Sequence, residues 1–379
     1  FDMKYLILTD THIGATNSNQ RIMSAHNEMW QELFNLVKEH DIKHIIHGGD
    51  FFDNRQFLSI KTLKHIQTEF TPLMNANPDI HMHIILGNHD ILYRNRLDYN
   101  SVEPILSGIP NIHIYDEFTN LNDEILLCNW IVPNEEEKAV KLIKKSKLKY
   151  CIGHFEMLGF EVTKGITAFH GLDGKIFKKF NKVLSGHYHR KSNKGNIHYL
   201  GTPLSLTFGE YDTEHGYHIL DTETDELIFI PTKTGHLHYQ INYDVEKDEI
   251  ASIFPSVDDL SKLHDKFVRI SYVGKETQKL RELIDELTSE IKVNYIRVIN
   301  NIEQTNEEID KLLVINSDEE LNTSINILSD LSNNIDHLVN HSMGTVLQDK
   351  LNTIENLPET LDYMKQLLNN SHEKLTIEI

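Results

Sequence analysis

Five short stretches of this 379-residue chain place Asp, Asn or His directly behind an apolar run. They are Asp10-Thr11-His12 behind YLIL, Gly48-Gly49-Asp50-Phe51-Phe52-Asp53 behind HII, Gly87-Asn88-His89-Asp90 behind HIIL, Gly153-His154 behind YCI and Gly186-His187-Tyr188-His189 behind VL. Carboxylate, amide and imidazole donors without thiolates suit Mn²⁺, Fe²⁺ or Zn²⁺. Alternate residues of an extended segment face one side, so Asp10/His12 and His187/His189 can each approach one centre. The set is too large for one ion. Two ions roughly 3.5–4 Å apart, bridged by a carboxylate, would use it, and such a pair activates a water and stabilises charge developing on phosphorus. That is the chemistry of phosphoester hydrolysis. Alone, LSGHYH fits a metal-binding loop but reads first as an ordinary solvated turn, until other residues of the chain need its imidazoles; five polar clusters at equivalent positions do not fit surface decoration.

These residues act together only if the fold sets the five runs side by side. The front half alternates short apolar strands with helical periods, such as Trp30, Leu33, Phe34 and Val37, then Ile60, Leu63, Ile66 and Phe70. Strands separated by helices predict an α/β sheet. In such a sheet the carboxyl ends of the strands line the ligand crevice, and glycine lets the backbone turn there and approach an ion. From about 196 to 232 closely spaced strands follow, NIHYLG and GYHILDTETDELIFI. KFVRISYVG, ETQKLRELIDELTSEI and VNYIRVINNI then predict a β-α-β unit within 235–302, and a polar tail shows helical periods around Leu321–Leu338 and from Leu357 to Leu368. That tail reads either as a satellite bundle on its own chain or as a partner-binding helix pair.

In this order the motifs Asp-x-His, Gly-Asp-x-x-Asp, Gly-Asn-His-Asp, Gly-His and Gly-His-x-His resemble the calcineurin-like metallophosphoesterases. Within them, the lengths and the trailing β-α-β unit look like SbcD-type DNA repair nucleases. GHFEMLGF, LGTPLSLTFGE and DTETDELIFIP look most like the recombination endonuclease subunits of large tailed phages. The resemblance spans residues 3 to about 235, with 235–302 similar by pattern. It implies an α/β fold: a four-layer α/β/β/α phosphoesterase sandwich over 1–234, a small α+β capping domain over 235–302 and a helical tail over 303–379. It implies that Asp10, His12 and His189 hold one metal, that Asp50 bridges, and that Asn88, His154 and His187 complete the second site. His89 would be the general acid, with the Asp53 carboxylate accepting a hydrogen bond from its ring. Some SbcD-type relatives have histidine at the Asp53 position, and Asp90 could serve instead. The cofactors implied are two Mn²⁺, with Mg²⁺ a weaker substitute. The activities implied are 3′-to-5′ exonuclease on duplex DNA and endonuclease on single strands. The partners implied are DNA and an SbcC-type coiled-coil ATPase of the SMC-like kind, bound through the tail, in a heterotetramer built on a homodimer.

Composition sets bounds on partners and compartment. The net charge of −20 argues against a nucleic-acid binder at first, but residues 231–379 hold 14 basic and 27 acidic side chains against 23 and 30 before them. Most of the acid excess lies outside the part that carries the metal motifs. Arg55, Arg190 and Lys191 are candidate phosphate contacts. The lysine runs Lys138–Lys149 and Lys175–Lys194 either neutralise backbone phosphates or solvate their own surface. His47, His81, His83 and His198, inside strands, read as satisfied or surface histidines. Cys128 and Cys151 read as buried thiols of a reducing compartment, so the cytoplasm is expected, the host's if the chain is phage-encoded. No apolar run approaches the roughly 20 residues of a membrane span. FDMKYLIL lacks the pattern of a signal peptide. Two rival readings remain at this stage. One is a dimetal phosphodiesterase or phosphatase on a small nucleotide or phosphoprotein. The other is a non-catalytic scaffold, which the intact motifs argue against.

Overall fold

The computed structural model describes residues 3–301, and the tail expected to be helical lies outside them. Strands β1 (Lys4–Leu8), β2 (His44–His47), β3 (His81–Ile85) and β4 (Ile112–Tyr115) lie parallel in one sheet. The central strands β1, β2 and β3 are buried on both faces after their first residue, which is why they read as mostly apolar runs, while β4 at the sheet edge is half-buried. The chain then enters a second sheet through β5 (Thr119–Leu121), β6 (Ile125–Cys128) and β7 (Tyr150–His154). A hairpin, β8 (Glu161–Thr163) and β9 (Ile166–Thr167), forms its own ladder. The second sheet is finished by β10 (Lys182–Gly186), β11 (Ser192–Lys194) and β12 (Ile197–Tyr199); β13 (Gly216–Asp221) and β14 (Glu226–Pro231) return to the first. The strand orders are β14-β13-β1-β2-β3-β4 and β11-β12-β10-β7-β6-β5.

The period of two sorts the side chains into layers. Tyr5, Ile7, Ile46 and Ile85 of the first sheet meet Ile125, Leu127, Tyr150, Ile152 and Leu184 of the second in a core between the sheets. The alternate residues Leu6, Leu8, Ile45, Met82 and Ile84 face outward onto the helix Gln20–Glu39 through Met29, Trp30, Leu33 and Phe34. On the far side Cys128, Cys151 and Val183 pack against Ile143, Phe177 and Phe180. This is the expected α/β/β/α order. The helix Gln20–Glu39 starts where the Asn19 side chain accepts from the amides of Arg21 and Ile22, a cap that satisfies donors left free at a helix start.

Two expectations need correction. Ile66 and Phe70 are buried as predicted, but Ile60 is 85% exposed. It opens the helix Ile60–His65 directly after the Ser59 cap, while Thr62 and His65 of the same helix are buried. The unit after 235 is also larger than β-α-β. A four-stranded sheet of order β16-β15-β17-β18 is built from β15 (His238–Asp244), β16 (Glu249–Phe254), β17 (Phe267–Tyr272) and β18 (Tyr295–Asn300). The leading hairpin was not read because β16 is an edge strand with one half-buried face and no long apolar run. Ile241, Val268, Ile270, Leu280 and Leu287 give this sheet a core of its own. Arg21 pairs with Asp265 at 2.9 Å and ties it to the first helix.

Candidate metal centre

All five clusters sit at the carboxyl ends of β1, β2, β3, β7 and β10, and the two-sheet packing brings them to one place. Asp10, His12 and His189 offer ligand atoms to one another at one side, and Asp10, Asp50 and His154 do so at the other. Nε2 of His12 lies 3.1 Å from Nε2 of His189 and 3.6 Å from Oδ2 of Asp50. The same Asp50 oxygen lies 3.3 Å from Nε2 of His154. Asn88 Oδ1 completes the second side, 3.1 Å from His154 Nε2 and 2.9 Å from His187 Nδ1. Asp50 therefore stands between two ligand sets, as a bridging carboxylate would. Asp10 belongs to both clusters, and a third brings ligand atoms of His12, Asp53 and His89 together.

The backbone is held in unusual conformations to achieve this. Asp10, His12, Asp50 and His187 all have positive φ, from 44° to 90°, a conformation that carries strain for residues with a side chain and clusters at functional sites. The glycines matter through proximity. A Cβ on Gly87 would overlap the Asp50 carboxylate, and one on Gly186 would overlap the Thr9 hydroxyl and the Asp10 carboxylate.

The donor set fits divalent cations on grounds of proton geometry. His154 Nδ1 donates to the Gly48 carbonyl at 2.8 Å, so the neutral ring aims its Nε2 lone pair at the oxygens of Asp50 and Asn88. His189 Nδ1 donates to the Glu210 carboxylate at 2.8 Å, so its Nε2 lone pair faces His12. Lone pairs converging in a buried site call for a cation. Without a metal the proton fills that role: despite burial, Asp50 and Asp10 push His154 up to about 9, and Glu210 does the same for His189, also to about 9. Asp50 lies well below the usual carboxylate range; burial opposes this, but His154 and His89 outweigh it. Burial, and then His154, hold His187 well below the ordinary imidazole range.

His89 lies beside this set, its ring 4.8 Å from that of His12 and edge-on to it. Its amide donates to Asp50 Oδ1 at 2.6 Å, and its Nδ1 donates to the Asp53 backbone carbonyl at 2.7 Å. Nε2 is then the nitrogen left to exchange a proton. This corrects the role expected of Asp53: its carbonyl orients His89, while its carboxylate lies 3.4 Å from Nδ1 of His12. Asp90 is not the alternative partner. Its carboxylate accepts from the amides of Phe51, Phe52 and Gly87 and ties the β2 and β3 loops together.

Glu210 was missed by sequence reasoning. Burial opposes ionisation there, but His189 draws it down to about 2; it lies 21 residues beyond its histidine, within LGTPLSLTFGE, with no motif marking it. Trp130 was missed too, its ring 5.0 Å from that of His187. Of the proposed phosphate contacts, Arg55 makes no ion pair among the described residues and lines a surface groove with Phe57, Leu92 and Tyr99. Arg190 pairs with Asp212 at 2.5 Å and Lys191 with Glu214, so both are engaged within the chain.

Residues 3–191 match the family described as Calcineurin-like phosphoesterase. Exonuclease subunit 1 of Enterobacteria phage T4 is 29% identical over 327 residues, spanning 81% of this chain and 96% of its own length. The SbcD component of the nuclease SbcCD of Staphylococcus epidermidis is 23% identical over 315 residues, spanning 74% and 83%. The solved structure of the Pseudomonas putida nuclease MPE matches at 19% identity over 51% of this chain and 66% of its own; its TM-score of 0.27 is too low to bear on the fold.

Proposed function

The chain belongs to the calcineurin-like phosphoesterases and is a metal-dependent phosphodiesterase, and we propose that it is the Mn²⁺-dependent nuclease subunit of a DNA end-processing machine. The observation that carries this is the Asp50 carboxylate standing between two sets of imidazole and carboxylate donors. Two divalent ions held there would supply Lewis-acid charge to a phosphoryl group and a water of lowered pKa. Asp10, His12, Asp50 and His189 would hold one ion, and Asp50, Asn88, His154 and His187 the other. Glu210 and the Gly48 carbonyl hold the Nδ1 protons of His189 and His154 and so fix which nitrogen faces inward. His89, oriented by the Asp53 carbonyl, would deliver a proton from Nε2 to the leaving sugar oxygen. Arg55, close to Asp53, would receive the DNA backbone.

The substrate reading, 3′-to-5′ degradation of duplexes and cleavage of single strands in recombination and repair, draws support from relatives named as an exonuclease subunit and a nuclease subunit. Those names also support a partner, which we propose to be an SMC-like coiled-coil ATPase bound through residues 303–379. A homodimer is supported by a surface groove lined by Phe57, 71% exposed, with Leu92 and Tyr99, and by Ile60, 85% exposed, three residues after Phe57. Among the described residues no helix is long and apolar enough to cross a membrane.

The test is digestion of end-labelled duplex and single-stranded DNA with Mn²⁺, Mg²⁺ or EDTA. His89→Ala is run beside the wild type. Mn²⁺-dependent degradation that falls about 10²–10⁴-fold in the variant is expected for loss of a general acid. Turnover of a small diester without cleavage of any DNA would move the substrate to a nucleotide or phosphoprotein.

A further inference from the structure

Glu210, whose carboxylate holds His189, ends a short 3₁₀ turn, Phe208–Glu210, that Thr207 caps through the Gly209 amide. In a 3₁₀ turn residues three apart eclipse one another. Phe208 and Tyr211 therefore leave the turn on one side, and Glu210 leaves it on another, toward His189. Glu210 is pinned from within: its second carboxylate oxygen accepts from the Leu206 amide at 2.7 Å, and its backbone carbonyl accepts from Nε2 of His215 at 3.2 Å. The next residue but one, Asp212, pairs with Arg190, which directly follows His189. The chain thus returns to the metal loop as it leaves the turn.

The side shared by Phe208 and Tyr211 meets the four-stranded sheet that follows residue 235. Alternation along β17 sends Val268, Ile270 and Tyr272 into that sheet's own core and leaves Phe267 and Arg269 on the opposite face. The guanidinium carbon of Arg269 lies 5.3 Å from the Phe208 ring centroid and 5.5 Å from that of Tyr211. Both distances fall inside the roughly 6 Å over which a cation is held by a π face. Its Nε donates to the side-chain carbonyl of Gln240, its register partner on β15, which fixes the plane of the fork. The Phe208 ring also meets His238 edge-on at 4.9 Å, and His238 stacks on Phe267 at 4.8 Å. Ser205 closes the seam through the backbone: its amide donates to the Gly235 carbonyl at 2.7 Å, and its hydroxyl accepts from the Leu237 amide at 2.8 Å.

We propose that Arg269 is a positioning residue for the first metal. By gripping Phe208 and Tyr211 it sets the rotation of the turn that aims Glu210 at His189, so the placement of the four-stranded sheet tunes how tightly that ion is held. The inference rests on the dimetal reading of the centre and adds a determinant on a different sheet from every ligand. Arginine suits the task because its planar fork stacks on rings while Nε keeps a hydrogen bond. Lysine would keep the charge and lose the planar contact.

Mn²⁺ binding to the full-length chain is measured by equilibrium dialysis, with thermal melts in EDTA alongside. The chains compared are wild type, Arg269→Ala, Arg269→Lys, Glu210→Gln and the double variant Arg269→Ala with Glu210→Gln. Arg269→Ala is expected to weaken the ion that Glu210→Gln weakens by roughly 3–10-fold, the range of a cation–π grip and less than the loss of Glu210 itself. Arg269→Lys should recover part of that affinity. In the double variant the Arg269 change should cost no further affinity, because its route through Glu210 is already cut. Wild-type Mn²⁺ affinity in Arg269→Ala, even with a lowered melt, would overturn the proposal and leave Arg269 as packing. Full additivity in the double variant would overturn it as well. A wild type that binds no Mn²⁺ would remove the dimetal reading and the inference with it. Should Arg269→Ala not fold, the half-buried Tyr211 carries the test: wild-type Mn²⁺ affinity in Tyr211→Leu would sink the proposal.

Discussion

At the residue scale, the groups that were legible in the sequence are those whose role is written in their own strand-end motif. Asp10, Asp50, Asn88, His154, His187 and His189 stand at turns where the chain leaves a strand, so type and spacing announced them. Glu210 and the Asp53 carbonyl were illegible for a physical reason: each acts through another residue, at a distance set only by the folded chain. Glu210 carries a prediction of its own. Its carboxylate holds the His189 Nδ1 proton at 2.8 Å, and loss of such a partner typically costs about 10–100-fold in metal affinity. Glu210→Gln should raise the Mn²⁺ concentration for half-maximal hydrolysis by about that factor, with much of the rate recovered at saturating Mn²⁺. A fall in maximal rate at unchanged Mn²⁺ dependence would contradict a positioning role. Asp53→Asn should be milder than His89→Ala, since the carbonyl that orients His89 is retained. Equal losses in diester hydrolysis would argue that the carboxylate itself takes part.

At the element scale, the central parallel strands were legible because burial on both faces leaves mostly apolar runs, and the helix Gln20–Glu39 because its stripe faces one core. Edge strands such as β16 have one poorly covered face, and their pattern faded accordingly. The glycine turns are the elements' least tolerant points. Gly186→Ala should lower Mn²⁺ affinity or fail to fold, because its Cβ collides with Asp10 and Thr9; binding isotherms and thermal melts would separate the two results. A second prediction concerns pH. His218 is buried in β13 beside Phe229, and burial draws it down to about 3. The unfolded chain, with its imidazole near 6.5, takes the proton first. The contribution of neutral His218 is therefore complete above about pH 6.5 and is lost as pH falls toward the folded value, by at most about 1.4 kcal/mol per pH unit. His218→Phe should flatten the decline of stability between about pH 6.5 and 4.5, measured by urea unfolding in EDTA. An unchanged slope would place the acid sensitivity in other groups.

At the scale of the whole molecule, the charge split seen in the sequence is a statement about surfaces, and the fold adds an apolar one. Phe57, Leu92 and Tyr99 are exposed around the groove bordered by Arg55, and Ile60, three residues after Phe57, is exposed as well. Covering a large apolar side chain is worth about 1.5–3 kcal/mol, and in a twofold dimer each residue is covered twice. Two such residues per subunit would supply a substantial part of a micromolar association. Phe57→Glu with Ile60→Glu would bury four carboxylates at the twofold contact. That variant should sediment as a monomer at concentrations where the wild type is a dimer. Hydrolysis of a small diester should persist, since neither residue touches the metal centre, while degradation of duplex ends should fall. A wild type that sediments as a monomer at micromolar concentration would remove the homodimer and leave the exposed patch to another occupant. Deleting 303–379 separates that possibility from the tail: the truncated chain should keep its dimer and its diester hydrolysis and lose co-purification with the ATPase, and an ATPase retained by the truncated chain would place the partner's contact on residues 1–302 instead.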